Sequence, residues 1–222
     1  MVPQLSFKEL LENKSFTEQA VWYRILARWR TGPDNKLLEE ARKMCRDYLL
    51  EEDETLISQA VKFWQEKGDH RQKRAVWETY LEDLKEAVLA AIDVPYRVGR
   101  VGCLSNLRIG ELVDWARALG AILAADLKTT QIRRFLGEVV AAEVEAEEKG
   151  PEEFENSRVE YLRVYLAYAT GRNRSAKTLL RVLEPMIKGI RPRGREGWDD
   201  FQVLVEFVRA IMAYHKFYGG TE

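Results

Sequence analysis

Apolar residues recur at three- and four-residue steps along almost the whole chain, the spacing of helices with one buried face. Ala20, Tyr23, Ile25, Leu26 and Trp29 mark such a face between Phe16 and Arg30, and Thr31-Gly-Pro-Asp34 then breaks it. Asp34 offers an N-cap carboxylate to a helix over Asn35–Leu50. Asp53 or Thr55 opens the next, which ends near Gly68. A fourth stripe, from Arg71 to Ile92, places Val76, Tyr80, Leu84 and Val88 at four-residue steps. Trp22, Trp29, Trp64 and Trp77 all lie before residue 80, and the N-terminal part of the chain reads as a packed helical unit.

Between Asp93 and Ser105 the stripe is lost and Pro95, Gly99 and Gly102 appear, a pattern that predicts a linker. Ser105 or Asn106 then caps a helix that stops at Gly120, with Ala121–Leu127 continuing or restarting it. Thr129 or Thr130 caps a long helix carrying Ile132, Phe135, Leu136, Val139 and Val140, ended by Gly150-Pro151. A helix from Glu152 to Thr170 is stopped by Gly171. A shorter one starts at Ser175, and Pro185 kinks or ends it. After a basic loop at residues 189–197, a last helix runs from Trp198 to Tyr218 and stops at Gly219-Gly220. No segment alternates with period two. The expected fold class is all-α: a compact helical bundle over residues 105–222, a linker at 96–104, and an additional N-terminal helical extension at 1–95.

Composition agrees with a helical globular protein. The 222 residues are 46% hydrophobic and 32% charged, with 14 glycines and 6 prolines, which excludes a disordered or collagen-like chain. The longest apolar run without glycine, Ala87–Ile92, is far shorter than a membrane span, and Met1–Ser15 has no apolar leader segment. Cys45 and Cys103 lie far apart and form no CxxC, so two reduced thiols in a cytoplasmic protein without a membrane partner are expected. No cofactor or metal motif is present.

The net charge of −1 carries no information about partners, but its distribution does. Residues 138–160 hold nine acids and two bases, whereas residues 163–195 hold nine bases and one acid, Glu184. Arg174, Lys177, Arg181 and Lys188 fall on one helical face, opposite Leu179, Leu180, Leu183 and Ile187. Such a basic ridge suits a phosphate backbone; a merely solvated face is equally compatible with it. Lys128, Arg133 and Arg134 surround the start of the Thr-capped helix, where the N-terminal amides also favour an anion. Arg158, Tyr161, Tyr165, Tyr168 and Arg172 share a helical face; the tyrosines could stack bases, but packing in a core or an interface is the expected role.

Catalytic motifs are missing. The sequence contains no GxGxxG, Walker A, HExxH or GxSxG. Arg209 and His215 fit the short R-x4-6-H pattern of helical ribonucleases of the HEPN class. Six residues turn a helix through about 600°, however, leaving the two side chains about 120° apart. His215 instead continues the apolar stripe of Val208 and Ile211 and is expected to be packed.

Several short motifs taken in order are similar to the small subunit of type III-A, or the related type III-D, CRISPR-Cas effector (Csm) complexes. They are Trp115-Ala116, Leu119-Gly120, Leu127-Lys-Thr-Thr-Gln-Ile-Arg-Arg-Phe135, Leu166-Ala-Tyr-Ala-Thr-Gly-Arg172, Ala210-Ile-Met-Ala-Tyr-His-Lys216 and Tyr218-Gly219-Gly220. The resemblance covers Ser105–Gly220 and leaves residues 1–95 without a counterpart. It implies a non-catalytic helical bundle whose copies stack into a minor filament. Its partners would be guide RNA and target RNA, the backbone subunits, the polymerase-like large subunit and further copies of itself. It would touch the RNA backbone without reading sequence, within antiviral defence. RNA cleavage would belong to the backbone subunit, and DNA cleavage and cyclic oligoadenylate synthesis to the large subunit. The expected RNA-binding residues are Lys128, Arg133, Arg134, Arg172, Arg174, Lys177, Arg181 and Lys216; no catalytic or metal-binding residue is expected. Two other readings remain: a HEPN-like ribonuclease using Arg209 and His215, and a structural adaptor without RNA contact.

Overall fold

Eleven α-helical segments account for the regular structure of the described residues, with four single 3-10 turns between them and no strand. The computed structural model describes residues 7–48 and 53–220. The leader reading at Met1 and the helix end expected at Leu50 lie outside those residues. Among the described residues no helix is long and apolar enough to cross a membrane. The chain divides into two compact units, Met1–Ala91 and Ile92–Glu222.

The first unit contains α1 (Lys8–Glu12), α2 (Phe16–Leu26), α3 (Asn35–Asp47), α4 (Glu54–Gln65) and α5 (His70–Ala91). Asp34 and Asp53 cap α3 and α4 as expected, accepting from the amides of Leu37 and Leu56. Ser15 and Glu18 close a reciprocal capping box on α2. The core gathers around the fully buried Trp77, which meets Phe7, Trp29, Phe63 and Trp64 at centroid distances of 5.4 to 6.5 Å. Its indole Nε1 donates to the Leu26 carbonyl at 3.3 Å, tying α5 to α2. Buried Lys73 donates to the carbonyls of Trp64 and Glu66, placing a cation at the C-terminal end of α4.

The second unit contains α6 (Val94–Val101), α7 (Ile109–Asp126), α8 (Thr129–Lys149), α9 (Ser157–Arg172), α10 (Lys177–Lys188) and α11 (Gly194–Phe217). Helices α7 and α11 form its main packed pair, α8 lies on α11, and α9 is held between α8 and α10. Of the faces expected to be apolar, Ile132, Phe135 and Val139 on α8 and Phe201, Leu204, Val208 and Ile211 on α11 are buried, whereas Val140 on α8 is exposed.

The segment expected to be a linker, residues 96–104, is instead mostly helix α6. Asp93 caps it by accepting from the Tyr96 amide, Pro95 sits in the first turn, and Gly102 ends it at φ 89°. Proline at a helix start and glycine just past its end are boundary signals, and over so short a helix they resemble a loop. Other expected boundaries also move. Lys128, not a threonine, is at the N-cap of α8, and Arg108, not Ser105 or Asn106, precedes α7. Asn173 caps the 3-10 turn Arg174–Ala176 ahead of α10, and α10 continues through Pro185 to Lys188.

These boundaries predict how the chain can be cut. Helix α6 packs on α10, and its Val101 carbonyl accepts from Asn106 Nδ2 at 2.9 Å. A fragment beginning at Ile92 is expected to melt cooperatively and at higher temperature than one beginning at Ser105. Equal melting of the two fragments would show that α6 contributes nothing to the second unit.

Candidate nucleic-acid interface

The end of the second unit where α7, α8 and α11 meet is closed by one buried histidine. His215 is 0% exposed, and its Nε2–H donates to the Leu127 carbonyl in the α7–α8 turn at 3.0 Å. The chain then folds back over it. Gly219 adopts φ 69°, and the Gly220 amide donates to the His215 carbonyl at 3.0 Å. A side chain at Gly220 would fall inside the imidazole ring. Thr129 Oγ1, at the first turn of α8, donates to the Gly220 carbonyl at 3.3 Å. On the α7 side, a Cβ at Gly120 would stand 2.6 Å from the Tyr214 Cβ, so only glycine lets the two helices approach this closely. That is why α7 runs through Gly120, where the sequence predicted a stop. Arg117 Nε donates to the Tyr218 hydroxyl at 2.8 Å. Burial pushes the Tyr218 hydroxyl pKa up and outweighs the opposing pull of Arg117.

This closure sets where α8 begins, and therefore where its cations stand. Lys128, Arg133 and Arg134 are exposed. Asn173 Nδ2 donates to Gln131 Oε1 at 2.9 Å, joining the first turn of α8 to the end of α9. Beside this bond lies a cleft of about 240 Å³ lined by Leu127, Gln131, Arg134, Phe135, Tyr165 and Arg172, among others. The structure thus brings Arg134 and Arg172 to one cavity, with exposed Arg174 and Lys177 following on the adjoining 3-10 turn and the start of α10. Lys128 precedes Thr129, and Lys216 lies on the last turn of α11, whose following Gly220 contacts Thr129. Arg133 does not line the cleft, and Arg181 lies further along α10.

Most of the remaining charge is spent within the protein. Arg163 pairs with Glu160 at 2.6 Å and with Glu184 at 3.3 Å, and Lys188 pairs with Glu184 at 2.9 Å. Arg193, just before α11, pairs with Glu155, and Arg195, in the first turn of α11 rather than in the expected loop, pairs with Asp199. Among the described residues, Lys128, Arg134, Arg172, Arg174, Lys177 and Lys216 pair with no carboxylate.

The remaining loop cation, Arg191, is structural. Its Nε and terminal nitrogen grip both oxygens of Asp200 at 2.7 and 3.1 Å, while the Ser105 amide donates to the same carboxylate at 2.9 Å. Asp200 is 0% exposed. Burial pushes its pKa up, but the Arg191 guanidinium and the backbone amides of Ser105 and Arg191 outweigh burial and hold it below the ordinary aspartate value. This buried pair was missed in the sequence, where Arg191 counted only as part of a basic run and Asp200 was not singled out.

The tyrosine row is not core. Tyr161 and Tyr168 are 65% and 63% exposed; Tyr165 is half-buried, its ring 6.2 Å from Phe135. The Arg172 guanidinium lies 5.8 Å from the Tyr168 ring centre. The two residues of the ribonuclease pattern point to different partners. Arg209 pairs with buried Glu143 of α8 and with Glu206, each at 2.7 Å, while His215 is held by Leu127.

Residues 106–221 match the family model described as Csm2 Type III-A. The chain belongs to the Csm2 family. It is accordingly a small subunit of the type III-A CRISPR Csm complex. It is 33% identical over 99 residues to the CRISPR system Cms protein Csm2 of Streptococcus thermophilus, an alignment spanning 43% of this chain and 76% of that protein. No solved structure matches. The Csm2 match lies within the second unit and contains Gly120, Leu127, Thr129, His215 and Gly220, the residues of the closure described above. The first unit lies outside it.

The Asp200 pair makes a pH prediction. A folded-state pKa below the unfolded value of about 3.9 gives stability that is present above that value and lost as pH falls through the folded pKa. Asp200→Asn is therefore expected to destabilise the protein at pH 7 in urea titrations, with the gap to wild type closing as pH falls below about 4. A gap independent of pH would contradict the assignment.

Proposed function

We propose that the second unit binds the guide and target RNA backbone without sequence preference. It does so as a non-catalytic subunit, stacking with copies of itself beside the backbone subunits and against the polymerase-like large subunit, in cytoplasmic antiviral defence. The observation that carries this reading is the group of cations around the α8, α9 and α10 junction. Lys128, Arg134, Arg172, Arg174 and Lys177 are exposed there and pair with no carboxylate among the described residues, while neighbouring charges are neutralised in pairs. Unpaired cations converging on one surface supply the sequence-independent part of nucleic-acid affinity through counterion release. Lys216 extends the surface, and Arg133 and Arg181 flank it. The family is also one of subunits that work in an assembly, which suits a protein of net charge −1 with only a local basic surface.

The first unit is assigned no RNA contact in this reading; it offers a separate helical surface for partners within the complex.

The test is the salt dependence of RNA binding. Replacing Arg134 and Arg172 together with alanine is expected to weaken binding of unrelated single-stranded RNAs alike, and to flatten the plot of log affinity against log salt by about 0.7 per lost contact. An unchanged slope would remove these residues from the backbone contact. Binding of partner proteins with no salt-sensitive RNA component would favour the structural-adaptor reading.

A further inference from the structure

The cleft between α8, α9 and α10 has more than charge. Its walls include Leu127, Phe135, Leu166 and Leu179, so the interior is apolar. Two tyrosines line it: Tyr165 is packed near Phe135, and Tyr168 is largely exposed, with the Arg172 guanidinium 5.8 Å from its ring centre and donating to its hydroxyl at 3.3 Å. Arg134 and Arg172 belong to the same lining and, among the described residues, pair with no carboxylate. An occupant that satisfied all of this would carry a flat, largely apolar ring and at least one anion close to it. Nucleotides join those two properties covalently. A simple phosphate would leave the apolar walls empty, and an apolar side chain would leave the cations unmatched.

The polar edge of the cleft is oriented. Asn173 Oδ1 accepts from the Ser175 amide at 3.0 Å, so its Nδ2 is the group that donates to Gln131 Oε1 at 2.9 Å. This chain of bonds fixes which end of the Gln131 amide faces Asn173 and keeps its Nε2 donors for a ligand. Every nucleobase has ring-nitrogen or carbonyl acceptors on its edge, so such a donor holds a base without selecting one. The volume of about 240 Å³ is below the roughly 300–1,000 Å³ of pockets that enclose whole drug-sized ligands. It suits a single ring system with its sugar and phosphates outside.

We infer that this cleft seats one unpaired RNA base, packed against Tyr165 and Tyr168 with Gln131 at its edge, while Arg134 and Arg172 take the flanking phosphates. The inference rests on the RNA-backbone reading above and adds to it a preference for a base that is free to leave its stack. Stacking on an aromatic side chain is tolerant of sequence because every base has a π-face. A base seat and sequence-independent binding are therefore compatible.

The experiment uses the full chain and two labelled oligouridylate strands of equal length, one intact and one carrying abasic sites, titrated by fluorescence anisotropy at several salt concentrations. The abasic strand is expected to bind about ten-fold more weakly at every salt concentration, with the same salt slope. Tyr168→Ala and Gln131→Ala are expected to bind the intact strand as weakly as wild type binds the abasic one, and to lose nothing further on the abasic strand. Tyr168→Phe keeps the ring and is expected to retain wild-type affinity. Tyr168 is largely exposed, so its two variants leave the core intact. Equal affinity of wild type for the two strands, with the salt slope retained, would overturn the base seat and leave the backbone reading standing. Absence of salt-dependent binding to either strand would overturn the backbone reading and the base seat together.

Discussion

The hydrogen bond from His215 to the Leu127 carbonyl is the constraint on which the end of the second unit where α7, α8 and α11 meet depends. A buried imidazole must place its N–H on an acceptor, because an unsatisfied buried donor costs about 1–3 kcal/mol. Here the acceptor is a backbone carbonyl in the turn between α7 and α8. The bond therefore fixes the direction in which α8 leaves α7. Gly220 closes over the ring because nothing larger fits, and its carbonyl accepts from Thr129, so the end of α11 and the start of α8 are held by the same residue pair. Gly120 lets α11 approach near enough for this to happen. Four of the short motifs that define the Csm2 likeness thus meet in one place.

What the closure presents is charge selected by subtraction. Arginine and lysine are abundant throughout the second unit, but ion pairs on and between its helices neutralise many of them, and Arg191 is committed to buried Asp200. Surface pairs of this kind contribute little to stability. Their consequence is electrostatic: they reduce the basic run of residues 163–195 to a few cations around the α8, α9 and α10 junction. A weakly charged protein can in this way carry a local site for a polyanion.

The fold class was legible because a 3.6-residue period is a strong signal in long helices, as on α5, α8 and α11. It was not legible where a helix is short or its boundary is set by tertiary contact. Helix α6 has eight residues with proline and glycine at its ends, so its boundary signals read as a loop. Gly120 looked like a stop because its role depends on a helix distant in sequence. In the candidate site, the cations and tyrosines were visible as spaced residues, and the packed role of His215 followed from its place on the apolar stripe. Their sorting was not visible. Nothing local shows that Arg191 serves Asp200 while Arg172 remains available, since that choice is made by which helices pack together.

Native-state hydrogen exchange of the full chain and of His215→Ala tests the role of this bond most directly. The account predicts that the variant loses protection at two places together: the Tyr218 and Gly219 amides after α11, and the Leu127 and Gln131 amides flanking the start of α8. Loss confined to the end of α11, with Leu127 and Gln131 as protected as in wild type, would contradict it.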